Sequence, residues 1–139
     1  MTKLNAIYYN EHTNTEVTCK YLEDGSIHLY ERKKGNEEWT DYSDCAFDGV
    51  DINNLKIGDI IKLSKLINDY TYQNDGLFND GTAGSLADIF PIGGDYSGDK
   101  LFIDVAYEVV DNYTEEELDE MDESEQMDLL VRITGINIL

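Results

Sequence analysis

Apolar and polar residues alternate with a period of two over the first third of the chain, which is the signature of half-buried strands. Leu4–Tyr9 reads as a first strand. Glu16–Leu22 puts Val17, Cys19 and Tyr21 on one face and Thr18, Lys20 and Leu22 on the other. Asp24-Gly25 is a hairpin turn signal, and Ser26–Arg32 alternates again, with Ile27, Leu29 and Glu31 opposite His28 and Tyr30. Lys34-Gly35-Asn36 marks a second turn, and Glu37–Tyr42, which carries Trp39, reads as a further strand. With turns this short, sequential strands are expected to be neighbours, so Leu4–Tyr42 predicts an antiparallel meander.

The period then changes. Leu55, Ile60, Leu63, Leu66, Ile67 and Tyr70 fall near helical spacing, with Lys56, Lys62, Lys65 and Asp69 between them. This favours a helix over Asn54–Tyr70, capped by Asn53 or Asn54 and weakened inside by Gly58. A strand through Ile57–Leu63 is the competing reading. Asn74–Lys100 holds Gly76, Gly81, Gly84, Gly93, Gly94, Gly98 and the only proline, Pro91. It predicts a loop-rich centre in which Ser85–Phe90 makes one helical turn; irregular stretches of that length are often functional.

Leu101–Val110 returns to strict alternation. Leu101, Ile103, Val105, Tyr107 and Val109 form a face suited to the core, while Phe102, Asp104, Ala106, Glu108 and Val110 face outward. Thr114 with Glu117 is a capping-box signature, so a helix should start there, anchored by Leu118 and Met121 three residues apart. Asp128–Leu139 supplies one long strand, or two broken at Gly135. The fold class expected is α+β: a single domain, residues 1–139, with an antiparallel sheet built from the N-terminal meander and the C-terminal strands, and two helices. At 139 residues the chain is long enough for its own core.

Charge changes this picture more than composition does. The net charge is −20, from 30 acids against 10 bases. It is uneven: residues 1–74 carry 13 acids and 8 bases (net −5), and residues 75–139 carry 17 acids and 2 bases (net −15). Asp111, Glu115, Glu116, Glu117, Asp119, Glu120, Asp122, Glu123, Glu125 and Asp128 crowd into one segment, and no Lys or Arg occurs from Leu101 to Val131. Seven of these acids lie within Glu115–Glu123. At a helical rise of about 1.5 Å per residue that is roughly one charge per 1.9 Å, beside about one per 1.7 Å for duplex DNA. Such a surface repels nucleic acid and anionic membrane and attracts basic proteins. The plainer reading of an acid run is a solvated face. A disordered tail is disfavoured, because the apolar stretch from Leu129 to Leu139 follows at once.

No catalytic signature stands out, and an enzyme is not expected. Gly81-Thr82-Ala83-Gly84-Ser85 looks like a phosphate cradle but lacks the lysine of a P-loop, and the acids around it oppose phosphate. Asp95, Ser97 and Asp99 have the spacing of a calcium-loop start, but Lys100 stands where glycine is needed and Ala106 where glutamate is. His12, Cys19, His28 and Cys45 lack zinc-ligand spacing, and Cys19 shares a face with Val17 and Tyr21 as a core thiol would. No cofactor or metal site is assigned. The N-terminus has no signal-peptide core and no stretch is long enough to span a membrane; with two cysteines expected as reduced thiols, a cytoplasmic location is the expectation. Tyr8, Tyr9, Trp39, Tyr42, Tyr70, Tyr72, Tyr96 and Tyr113 suit either interface hot spots or sheet edges.

The functional expectation is an acidic protein inhibitor. It would act as a nucleic-acid mimic in the basic groove of a nuclease or other nucleic-acid-binding protein, in the manner of phage anti-CRISPR or anti-restriction proteins. The residues expected to meet the partner are Asp104, Glu108, Asp111, Tyr113, Glu115, Glu116, Glu117, Asp119, Glu120, Asp122, Glu123, Glu125 and Asp128. Two alternatives stand beside it: an immunity protein neutralising a bacterial toxin, and a ligand-binding or enzymatic domain built on the Gly/Asp-rich segment 74–100.

Overall fold

The structure is a computed structural model that describes residues 6–43, 46–47, 50–66, 77–78 and 81–138; for 46–47, 50 and 88–91 it describes the backbone alone. It is a mixed α+β domain with two antiparallel four-stranded sheets and three short helices.

The first sheet is the expected meander. Strands β1 (Ile7–Asn10), β2 (Thr15–Tyr21), β3 (Ile27–Lys33) and β4 (Thr40–Asp41) pair in sequence order. The β2–β3 turn closes where Asp24-Gly25 signalled it: the Gly25 N–H donates to the Leu22 carbonyl at 3.0 Å, and Gly25 has a φ of 91° that glycine adopts without strain. Val17, Cys19, Ile27 and Leu29 are fully buried on one face. The strand expected over Glu37–Tyr42 shrinks to two residues. Past Asp41 the edge of β3 is satisfied by Tyr42 and Asn53 together: the Leu29 carbonyl accepts from the Tyr42 N–H at 3.0 Å and from the Asn53 amide at 3.2 Å, and the Leu29 N–H donates to the Asn53 amide oxygen at 2.8 Å.

A two-stranded ribbon follows, β5 (Ala46–Phe47) with β6 (Val50–Asp51), and a 3-10 turn over Ile52–Asn54. The helix expected over Asn54–Tyr70 is not formed in its described part, 54–66. The competing strand is nearer: β7 (Ile60–Lys62) pairs with the last strand, and only one helical turn, α1 (Leu63–Leu66), comes after it. Gly58 decides this. It takes a φ of 93° in a turn where the Lys56 N–H donates to the Asp59 carboxylate at 2.9 Å, which interrupts any helix before Ile60. Residues 67–70 lie outside the described residues.

The loop-rich centre is also corrected. Gly81-Thr82 is a turn, but β8 (Ala83–Pro91) is a nine-residue strand paired in continuous register with β9 (Lys100–Val109), so no helical turn forms over Ser85–Phe90. A strongly alternating partner strand overrides the weak local signal of Gly84 and Ala87. Gly84 is needed for a close approach: a methyl group there would run into the Leu77 carbonyl, which accepts from the Tyr107 hydroxyl. Of residues 74–80, only 77–78 are described. A 3-10 turn, Ile92–Gly94, closes the hairpin.

The second sheet runs β7-β10-β9-β8, where β10 is Leu130–Ile138, one strand rather than two, with its register shifted between Ile133 and Gly135. Leu101, Ile103, Val105 and Tyr107 are buried as the alternation requires. Between β9 and β10 lie α2 (Glu115–Glu120) and α3 (Glu123–Met127). Both sheets contribute to a single core cluster, Val17, Leu29, Leu86, Val105, Tyr107, Val131 and Ile136 among its members. Asn10, itself fully buried, ties the sheets together by donating to the Ile92 and Asp95 carbonyls at 2.8 and 2.9 Å.

Candidate acidic interaction surface

The chain leaves β9 at Val109, and the Val110 N–H donates to the Leu130 carbonyl at 3.0 Å, so both ends of the acidic excursion are fixed to neighbouring strands. Thr114 caps α2 as its sequence signature required. Its hydroxyl accepts from the Glu117 N–H and the Glu117 carboxylate accepts from the Thr114 N–H, both at 3.1 Å. Glu115, Glu116 and Glu117 fill the first turn, where the helix dipole favours anions. Leu118 is fully buried and anchors the helix; Met121 is only half-buried.

The acid run is not one helix. Met121 turns to extended backbone (φ −79°, ψ 144°) and ends α2 after six residues. Asp122 then caps α3 through a second capping box: its carboxylate accepts from the Glu125 N–H at 2.8 Å, and Glu125 returns the bond at 3.3 Å. The Gln126 amide donates to the Leu118 carbonyl at 2.8 Å and fastens the second helix to the first. The linear charge density expected of a nine-residue rod therefore holds only within α2. There, five carboxylates in six residues amount to about one per 1.8 Å at helical rise. The second box was legible as Asp122 followed three residues later by Glu125; Leu118 and Met121, spaced as a continuous helix face, masked it.

All ten carboxylates from Asp111 to Asp128 are exposed, and Tyr113 is half-buried at their start. Among the described residues, none of the ten forms an ion pair; the pairs present are His12–Asp95, His28–Asp41, Arg32–Glu16 and Arg132–Glu108. Asp104 and Glu108 lie apart from the helices, on the outer face of the second sheet. Glu108 is half-exposed and paired with Arg132 at 3.3 Å. Asp104 is partly buried, and desolvation holds its carboxyl above the ordinary aspartate value, against a lowering bond from Ser85.

The other candidate chemistries resolve into structure. Asp95 accepts from the Ser97 N–H at 2.6 Å and Asp99 from the Tyr9 N–H at 3.0 Å, so both serve loop geometry. Cys19 is fully buried, and burial pushes its thiol up to about 12, the opposite of what a nucleophile needs. His28 lies opposite Lys20, while its neighbour Leu29 pairs with Cys19, so imidazole and thiol occupy opposite faces of the sheet. Cys45 lies outside the described residues. No group of three or more His, Cys, Asp or Glu among the described residues is placed to hold a metal ion. Of the aromatics, Tyr42 is buried, Tyr8 packs on the core, and Trp39 lies under the Arg32 guanidinium at 4.1 Å; Tyr96 is 64% exposed. Tyr70 and Tyr72 are outside the described residues. No described helix is long and apolar enough to cross a membrane. Compared with protein-family models, curated proteins and solved structures, the chain matches none of them.

Proposed function

We propose that the protein is an inhibitor that presents its acidic surface to the basic, nucleic-acid-binding groove of another protein and competes with nucleic acid for it. The supporting observation is the exposure of ten carboxylates on and beside two successive capped helices, with no ion-pairing partner for any of them among the described residues. Leu118, Met127, the Gln126 bond and the caps hold the helices, and of the ten carboxylates only those of Glu117, Asp122 and Glu125 are used in caps; the others are left for Arg and Lys of a partner, where desolvation strengthens each pair. The acids would stand where phosphates stand, with Tyr113 at the rim.

The test separates this reading from mere solvation. The protein, immobilised at low ionic strength, captures its partner from a bacterial lysate, and duplex DNA or RNA added at constant ionic strength elutes it. Nuclease activity of the eluted protein is then inhibited competitively, the apparent KM for nucleic acid rising at unchanged kcat. Reversal of Asp119, Glu120 and Asp128 to Lys does not lower the melting temperature, because these positions follow the first turns and their side chains cap nothing, yet removes capture. Undiminished capture by that variant would reduce the acids to solubility. Release by salt but not by nucleic acid, with a secreted toxin domain recovered, would instead indicate an immunity protein.

A further inference from the structure

The outer face of the second sheet stays open at both ends. Ile60 (48% exposed) and Leu130 (40%) stand at one end and Phe102 (44%) at the other. Between them the pairing places Glu108 beside Ala83, Ala106 beside Ser85, and Asp104 beside Ala87. Side chains this small leave a trough of about 280 Å³ along the face, lined by Ala83, Ser85, Asp104, Ala106, Tyr107 and Thr134, with the Gly84 backbone. Asp104 is the only lining residue with a charge at neutral pH.

Its situation differs from that of every acid on the helices. Asp104 is partly buried, its charge is opposed by desolvation, and the Ser85 side chain is its hydrogen-bond donor. No Lys or Arg among the described residues pairs with it, although Glu108, four residues along the same face, has Arg132. A carboxylate held partly out of water without a cation is unfavourable for the free protein. A cation placed in the trough removes that disadvantage, and the net charge of −20 draws cations toward it.

We infer that this trough is a docking site for an arginine side chain of the basic partner, so that the interface extends from the helices onto the sheet. The inference rests on the function proposed above. The shape selects the residue: an aliphatic stem lies along Ala83 and Ala106, a planar guanidinium takes both oxygens of Asp104, and Phe102, two residues from Asp104 on the same face, offers a ring edge or face to the stacked group. Lysine can fill the same space but makes neither the two-pronged bond nor the stack.

The experiment needs no identified partner. Amide shifts of the isotope-labelled full chain are followed while Nα-acetylarginine methylamide, a monocation, is added; the citrulline analogue, of the same shape but neutral, is the control. Saturable shifts at Gly84–Ala87 and Asp104–Ala106 with the arginine probe, and none with citrulline, are expected. Asp104→Asn should weaken binding about tenfold, the lower end of what a hydrogen bond to a charged group contributes, while melting no lower than the parent, since it removes a desolvated charge. Ala106→Leu fills the trough at constant charge and should also weaken it; if that variant fails to fold, Asp104→Asn still decides. Equal shifts with both probes, or arginine shifts confined to Glu115–Glu125, would overturn the trough and leave the helix surface standing. Undiminished partner capture by the Asp119, Glu120, Asp128 reversal would do the converse, removing the proposed function whatever the trough binds.

Discussion

At the scale of single residues, the polar groups that matter most to this fold are amides, not acids. Asn10 is fully buried and uses its whole side chain: it donates to two carbonyls of the β8–β9 hairpin and accepts from the His12 N–H at 2.9 Å. Gly98 exists to admit it, since a methyl group there would sit 2.6 Å from the Asn10 Cα. Asn10→Ala removes the amide donor from both carbonyls, leaving Ile92 only the long 3.4 Å bond from the Asp95 N–H. The expected cost is about 2–3 kcal/mol, read as a lower urea midpoint at unchanged slope. Asn10→Asp is expected to fare no better, because a carboxylate would face two carbonyls instead of donating to them. None of this was legible in the sequence. An asparagine after Tyr8-Tyr9 carries no pattern, and its partners lie more than 80 positions away. Leu101, Ile103, Val105 and Tyr107, by contrast, could be assigned to the core from alternation alone, since a strand's two faces are fixed by its own sequence.

At the scale of elements, legibility followed how local the determining interactions are. The meander, the β9 strand and the α2 start are set by turns, alternation and a capping box, all within a few residues. The helix expected over Asn54–Tyr70 and the loop expected over Asn74–Lys100 failed for a common reason. Ile60–Lys62 and Ala83–Pro91 are strands because β10 and β9 offer them ladders, and that offer is invisible in a sequence window. The candidate site shows the same division. Its acids and first cap were plain; the trough was not, because it arises from register between β8 and β9. Beyond their caps the acid helices have few anchors: α2 has one buried side chain, and α3 has none, only the half-buried Met127 against the core and the Gln126 bond to α2. Thr114→Ala and Asp122→Ala should therefore each cost about 1 kcal/mol locally. The cost should show as faster amide exchange within Glu115–Met127 while the strands keep their protection. Uniform acceleration across the molecule would mean that the helices unfold only with the core.

At the scale of the whole molecule, folding and recognition are expected to answer salt with opposite signs. The described residues hold four ion pairs, two of them through histidine, against a net charge of −20. Attraction among the described residues is thus scarce, and the dominant long-range electrostatic effect at this net charge is self-repulsion, which opposes compactness. Anions at the helix N-termini work the other way, at about 0.3–1 kcal/mol each, but only over one turn. Screening shortens the reach of repulsion from roughly 30 Å at 0.01 M to roughly 3 Å at 1 M. Raising salt from about 0.02 to about 0.5 M should therefore raise the melting temperature by several degrees. Over the same range, partner binding through the acidic surface should fall by at least about tenfold. The two measurements need the same protein and buffers, thermal denaturation for one and equilibrium capture for the other. A melting temperature that falls with salt would show that cap and dipole interactions outweigh the repulsion. Binding indifferent to salt would place the partner's main contacts on the apolar rim of Ile60, Leu130 and Phe102, with the carboxylates left as solvation.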